Sequence, residues 1–559
     1  MACLRTAASR RLSLFARKQQ LDRLVGTRCW VALARRLLSN LGAVFAMRAR
    51  FLQTEGMQGI SDPNAEFLDA AALCGHLVPE GSVHRFLAEH RRRLFPDELF
   101  EDLFPSGRGR PSVPADVIAT LMVLQALGGL SDRDALGELR TNITWKVAAG
   151  LSLTDEGFHP TVLTLWRNKL RGSDAPERIF DAVRAVIAET GVLGGKTRRV
   201  LDSTVLDDAV ATQDTVTQLI ASIRRVRRFS PEAAALELAG HDYADPAKPR
   251  IAWDDTDARQ ALVTALVDDA LAVLACVEGL DLDVETADAV GLLALVAGQD
   301  VEPGEGDGTW RIASRTAPDR VISTVDPDAR HVHKSVQHYR DGYKAHLVVE
   351  PATGLICSQR LSPGNAPDGP IGVELMQHEP TGRQVLADSA HGSGETRARL
   401  QERKHRLAIK PWPLADTGRF ARDDFWVDHN ARTATCPAGH TVALTVTNRA
   451  VFQRHCRGCH LRERCTTARD GRVLRLTDHD AELVQARRSW RDGDFTDDYR
   501  RWRPMVERTL AWLVRRGRRV AYRSTARNRI WLAHRAAAVN LQRLINLGLD
   551  HQKAWVLTS

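Results

Sequence analysis

Apolar residues recur along this chain with two different periods, and the switch between them predicts its layout. From residue 64 to 190 the spacing is helical. The run from Pro114 to Leu127 is almost wholly apolar and is closed by Gly128-Gly129, which reads as a buried helix. Ser131 followed by Asp134 has the form of a capping box that opens a helix from Asp132 to about Arg140. His159-Pro-Thr-Val-Leu-Thr-Leu-Trp-Arg-Asn-Lys-Leu reads as a short amphipathic helix with a basic face. Helices joined by short glycine turns form either a helix-turn-helix reader of DNA or a plain bundle.

At Arg198 the period changes. Arg198-Arg-Val-Leu-Asp-Ser-Thr-Val-Leu is rich in β-branched residues and predicts a strand that carries Asp202 to its end. Helices are expected from about Gln213 to Val296, and then a glycine- and acid-rich linker over Gly298–Gly308. Gly342 to Glu350 and Leu355 to Leu361, around the turn Pro351-Ala-Thr-Gly354, predict a hairpin. Another strand, Arg383 to Ala390, ends at Asp388; a helix over 395–403 and a strand over 406–409 complete an α/β alternation. Residues 420–475 break the pattern. Helix returns from about Asp498 to Leu547, apart from the region of Gly517.

Composition narrows the class. With 559 residues, 43% hydrophobic and 26% charged, the chain is long enough for several cores and is not of disordered type. No stretch approaches the ~18 uninterrupted apolar residues of a spanning helix, so no membrane association is expected. The net charge of +9 is mild, but its distribution is uneven. Residues 499–535 hold twelve arginines against one acid, Glu507, and such a run suits either a polyanion or a solvated basic helix. Residues 1–50 hold ten arginines and one acid, Asp22. By composition this stretch passes for a transit peptide; the reading preferred is a basic leader (1–56) outside the fold, with structure starting near Met47 or Met57.

Five of the nine cysteines (Cys3, Cys29, Cys74, Cys276, Cys357) are scattered, while Cys436, Cys456, Cys459 and Cys465 crowd together. An odd count with one tight cluster suits a reducing compartment and a metal better than a disulfide framework. Four thiolates would close a structural zinc site, with His440, His455 or His460 able to replace one; thiols in a folded insertion are the alternative.

Asp202 and Asp388, each read as ending a strand among small residues, suggest a shared edge of one sheet. With Glu507 from a late helix they would make an all-oxygen site for two Mg²⁺ (or Mn²⁺) ions, suited to phosphodiester chemistry. Singly, such aspartates more often cap turns, and Glu507 could be a salt-bridge partner. Asp207, Asp208, Asp326 and Asp328 are the acidic alternatives to Asp202.

The combination resembles the DDE transposases of bacterial insertion sequences, and within them the branch called insertion sequence eleven-eighty-two, related to the insertion-sequence-four-like group. The stretches that carry the resemblance are Leu201-Asp-Ser-Thr, Asp326-Pro-Asp-Ala-Arg, Gly342-Tyr-Lys-Ala-His, Ala387-Asp-Ser-Ala-His-Gly, Tyr499-Arg-Arg-Trp-Arg-Pro-Met-Val-Glu-Arg and the tail Tyr522-Arg-Ser to Leu544. Residues 112–171 resemble the helical N-terminal domain of these enzymes.

The resemblance implies a mixed α/β sheet of RNase H-like type over 191–549, interrupted by a helical insertion (about 210–310) and a Cys-rich one (about 420–475). An all-α DNA-binding domain would precede it (57–190) and a tail follow it (550–559). It makes Asp202, Asp388 and Glu507 the metal-binding catalytic triad. Tyr499, Arg503 and Glu507 resemble the family's Tyr–Arg–Glu–Lys signature, with one residue more than usual between the first two and Arg515 or Arg516 in the lysine's place. If Pro504 sits in the first turn of Glu507's helix, Tyr499 and Arg503 fall outside that helix. Ser389 and His391 would contact the scissile phosphate or simply form the strand-to-helix turn. Tyr499, Arg503, Arg508, Arg515, Arg516, Arg518 and Arg519 would contact DNA.

The function implied is metal-dependent cleavage and strand transfer on double-stranded DNA, at terminal inverted repeats and target. A homodimer or higher oligomer would act in the cytoplasm, associated with the nucleoid. A nuclease without strand transfer and an inactive DNA-binding descendant are the alternatives.

Overall fold

The computed structural model describes residues 57–61, 68–106, 108–245, 247–306, 308–335 and 338–558. The expected leader, Met47, Cys3 and Cys29 lie outside them.

Seven helices come first: α1 (Ala70–Cys74), α2 (Val83–Leu94), α3 (Ala115–Gly128), α4 (Asp132–Thr141), α5 (Ile143–Ala149), α6 (Thr161–Gly172) and α7 (Arg178–Glu189). Helix α3 is buried from Ala115 to Gln125 and stops at Gly129, whose φ of 67° is the left-handed conformation that glycine adopts at least cost. The Ser131 hydroxyl accepts from the Asp134 N–H and so caps α4, as its sequence predicts. Helices α3 and α4 meet at 110°.

A six-stranded mixed sheet follows. Strand β1 (Arg198–Asp207) lies at its centre; β2 is Arg330–Ser335, β3 His338–Glu350, β4 Leu355–Pro363, β5 Gln384–Ala387 and β6 Arg406–Ile409. On one side of β1 the partner is antiparallel β3, which pairs in turn with β2 and β4; on the other side β5 and β6 run parallel to β1. The α/β class expected from the sequence is therefore present. Helices α8 (Thr215–Phe229), α9 (Thr256–Cys276) and α10 (Val284–Gln299) leave the sheet after β1 and bury apolar clusters of their own. The predicted linker over 298–308 is instead the end of α10 and one arm of a hairpin, Val301–Pro303 with Trp310–Ile312. Thr264 closes that hairpin onto α9 by bonding both backbone groups of Trp310.

The two faces of the sheet are covered differently. Leu201, Val385 and Ile409 pack against α11 (Asp368–Met376) and α12 (Gly394–Glu402). Val200, Leu206 and Leu386 point the other way, into one large core. That core continues through α13 (Thr496–Trp502), α14 (Met505–Leu513) and α15 (Thr525–Asn546) into the N-terminal helices, so Leu121, Trp166 and Val183 share it with Leu532 and Leu541. Within it the fully buried Asn540 bonds the N–H and the C=O of Ile356 on β4, both at 2.8 Å. A side-chain amide thus satisfies a peptide that the ladder leaves open.

Two buried histidines, His534 on α15 and His346 on β3 beside Asp368 of α11, make the fold sensitive to acid. His346 and His534 are 1% and 5% exposed, and burial pushes both imidazoles down to about 3. Folding keeps them neutral, whereas the unfolded chain takes up protons near their ordinary value of 6.5. Stability is therefore intact above that value and is lost as the pH falls toward 3, by roughly 1 kcal/mol per pH unit for each histidine. We expect the denaturation midpoint to drop steeply between neutral pH and pH 4 or so. The double variant His346→Gln/His534→Gln should show a shallower slope, and an unchanged slope would remove both histidines from the account.

Candidate active site

Asp202 lies in the middle of β1, not at the strand end expected from the sequence: the β-branched run extends past it to Asp207. Its setting comes from register. Val200 pairs in parallel with Leu386, so Asp202, two residues on, stands level with Asp388 just beyond the end of β5. Side chains alternate along a strand, and both aspartates therefore share the face of Val200 and Leu386, which α14 and α15 cover.

Glu507 reaches the same place from the first turn of α14. The joint before it follows from Pro504, which ends α13 and opens α14. Tyr499 is accordingly on α13, Arg503 at the joint and Glu507 on the next helix. Arg503 forms an ion pair with Asp202 Oδ2 at 2.9 Å and donates to Glu507 Oε1 at 3.3 Å. One guanidinium thus ties strand β1 to helix α14, while its Nε is buried without a partner.

The charges of these groups act on one another. Burial pushes the Asp202 carboxyl up to about 6; Arg503 opposes this, and the charges of Glu507 and Asp388 add to it. At Asp388 burial also acts upward, but the hydrogen bond and field of His391, together with the field of Arg503, outweigh it and leave the carboxyl below its ordinary value. Tyr499 is raised chiefly by burial, with Asp388 and Asp202 contributing.

Asp388 is also fixed mechanically. Its Oδ1 accepts from the Ala390 N–H at 3.0 Å and lies 3.2 Å from His391 Nδ1. His391 is only 2% exposed, so it stands behind Asp388 rather than facing a substrate; this corrects the phosphate contact expected of it. Gly372 on α11 makes room for that ring, because a Cβ there would come within 2.9 Å of His391 Cδ2.

The acidic alternatives have other partners. Asp207 forms a two-pronged pair with Arg340 at 2.8 and 2.6 Å. Asp326 accepts from Tyr343 Oη and the Ser524 N–H, and Asp328 from the Thr525 N–H, so both anchor the start of α15. Asp208 is pushed up to about 6 by burial and by Asp341.

Of the arginines expected at DNA, Arg508, Arg515, Arg516 and Arg519 are exposed. Arg518 is half-buried and donates to Thr204 Oγ1 at 2.7 Å, two residues beyond Asp202 on the same face. The arginine run by itself did not distinguish Arg518 from its neighbours. The segment that carries it runs alongside the end of β1, with Asp207 N–H bonded to Arg518 C=O and Val520 N–H to Asp207 C=O.

Cys436, Cys456, Cys459 and Cys465 line one small cavity with His440 and His455, whose rings stack at 4.8 Å. Burial, then the neighbouring thiols, raise Cys465 against the pull of Arg472. Among the described residues, no group of three or more His, Cys, Asp or Glu is arranged to hold an ion. Asp202, Asp388 and Glu507 carry the oxygen donors that a hard divalent cation takes, and Arg503 now pairs with two of them, so a cation bound there would have to displace that guanidinium.

Two stretches match known families. Residues 435–545 match the transposase DDE domain, a span that includes the cysteine cluster, Glu507 and the arginine run but neither aspartate. Residues 74–169, which hold helices α2 to α5 and most of α6, match a transposase domain (DUF772). No curated protein and no solved structure matches the chain.

Proposed function

We propose, from the premise that the chain is an insertion-sequence DDE transposase, that it cuts DNA at the ends of its element and joins them to a target. What supports this reading is that Arg503 pairs with both Asp202 and Glu507, while Asp388, just beyond the neighbouring strand, stands level with Asp202. The strand order, an antiparallel β4–β3–β1 followed by parallel β5 and β6, supports an RNase H-like assignment. The quoted motifs favour the eleven-eighty-two branch.

Asp202, Asp388 and Glu507 would hold two Mg²⁺ or Mn²⁺ ions, which when bound activate the attacking oxygen and stabilise the leaving one. In the first step water attacks the phosphorus and the 3′ oxygen leaves with a proton, exposing a 3′-hydroxyl. In the second, that hydroxyl attacks a target phosphodiester in line and the target's 3′ oxygen leaves. His391 holds Asp388 in place for both steps. Tyr499 and Arg503 stand beside the acids, within reach of a phosphate bound there. Arg508, Arg515, Arg516, Arg518 and Arg519 track the backbone, which positions the duplex without reading its sequence. The N-terminal helices, with the 110° corner between α3 and α4, read the terminal repeats. A homodimer or larger assembly on DNA brings two ends together.

A strand-transfer assay on oligonucleotides carrying the element's ends tests the reading. Joined product supports it, cleavage alone makes the protein a nuclease, and binding alone makes it an inactive descendant.

We further propose that the four cysteines take one structural zinc. Elemental analysis should find about one zinc per chain, falling to near zero in Cys459→Ser. A metal-free, folded wild-type protein would remove the ion.

A further inference from the structure

Where the corner between α3 and α4 faces the segment 514–524 and α15, the protein encloses a cavity of about 340 Å³. Gln125, Arg167, Arg516, Arg519, His534 and Arg535 are on its wall. A second cavity, of about 220 Å³, lies along the same Arg516 and Arg535 and adds Arg515. Backbone and side chain approach closely here: a Cβ at Gly129 would come within 2.3 Å of Arg516 Cβ.

The charges in this cleft do not cancel. Arg167 is satisfied, with two bonds of 2.7 Å to Asp132 and one of 2.7 Å to Gln125. That uses up the one carboxylate on the wall. Arg535 is only 5% exposed, yet its hydrogen-bond partner is the Gly517 carbonyl at 3.0 Å and its stacking partner the Trp531 ring. No carboxylate pairs with Arg535 or with Arg516 among the described residues. A guanidinium buried without an acid carries a desolvation cost that an incoming anion would offset. Burial alone lowers the Arg535 guanidinium to about 10, which still leaves it charged at neutral pH. Beside it His534, 95% buried by the same measure, keeps Nε2 without a hydrogen-bond partner.

We propose that this cleft is a phosphate site, separate from the three carboxylates, that takes a backbone phosphate of duplex DNA. Arg516 and Arg535 supply the charge, and His534 offers a neutral hydrogen-bonding group. The site is built jointly by the N-terminal helices and the C-terminal segment, so bound DNA clamps the two together. DNA is favoured over a small phosphate compound because the same 514–524 segment carries Arg518 to Thr204, beside the acids. The proposal rests on the transposase reading for its ligand.

The test uses the full chain without divalent cation, so that binding is read apart from cleavage. Affinity for a mixed-sequence duplex is measured against salt concentration for wild type, Arg516→Ala and Arg535→Gln. Arg516 is exposed, so its variant folds even if the buried one does not. Each lost phosphate contact should lower the slope of log affinity against log salt by about 0.9 and weaken binding about tenfold at low salt, whatever the sequence. Unchanged affinity and slope in folded Arg516→Ala overturn the proposal. So does thermal stabilisation by inorganic phosphate that Arg516→Ala abolishes while its DNA affinity stays at wild type, since the ligand is then a small phosphate. A wild-type protein that shows the expected slope but joins no ends with Mg²⁺ present sinks the transposase reading and leaves the phosphate site standing.

Discussion

On the proposed function, Asp388→Asn should lose strand cleavage by a factor on the order of 10³ or more while its affinity for DNA stays within about twofold of wild type. The substitution keeps the shape of the side chain. Asn can still accept from the Ala390 N–H and still caps the short turn over Ser389–His391, so the fold has little reason to change. What it removes is the negative charge that His391 and Arg503 hold ionised beside Asp202. A gel-based cleavage assay run together with a binding titration separates the two effects. Wild-type cleavage in this variant would exclude Asp388 from the chemistry, and equal loss of binding would make its role structural.

The second large effect concerns stability. Arg199, next but two before Asp202 on β1, is 2% exposed and donates through Nε to Glu379 Oε2 at 2.6 Å; Glu379 is 6% exposed. The guanidinium also bonds the Lys196 and Arg198 carbonyls. Arg199→Met strands a buried carboxylate and should cost roughly 3–5 kcal/mol, read as a lower denaturant midpoint. Removing both charges, as in Arg199→Met/Glu379→Leu, should recover most of that loss, because two apolar groups do not need to be desolvated as ions. If the single variant unfolds at the wild-type midpoint, the pair contributes nothing. This pair lies on the face opposite the carboxylates, so the double variant is also a means of changing stability without touching them.

Much of the local structure was legible in the residues alone. The apolar run before Gly128-Gly129 ends as a helix where glycine must take a positive φ, and Ser131 caps the next helix as its spacing with Asp134 foretells. The hairpin around Pro351–Gly354 and the strand over 406–409 are where alternation puts them. These features depend on neighbours a few positions away, and a linear pattern carries that information. The same holds for the joint at Pro504, since a proline lacks the N–H that would continue the helix before it.

Other features had no local trace. That Asp202 stands level with Asp388 depends on the pairing of Val200 with Leu386, which is a choice of register between distant segments. That His391 backs Asp388 instead of facing outward depends on the space left by Gly372. Motif likeness could bring three acids and a row of arginines under suspicion. It could not tell that Arg503 bridges two of those acids, that Arg518 reaches Thr204, or that Arg535 is buried with no acid to answer it among the described residues. Periodicity and capping are short-range and are written into consecutive residues; convergence of charge is settled only when the shared core closes and brings remote side chains into one low-dielectric space.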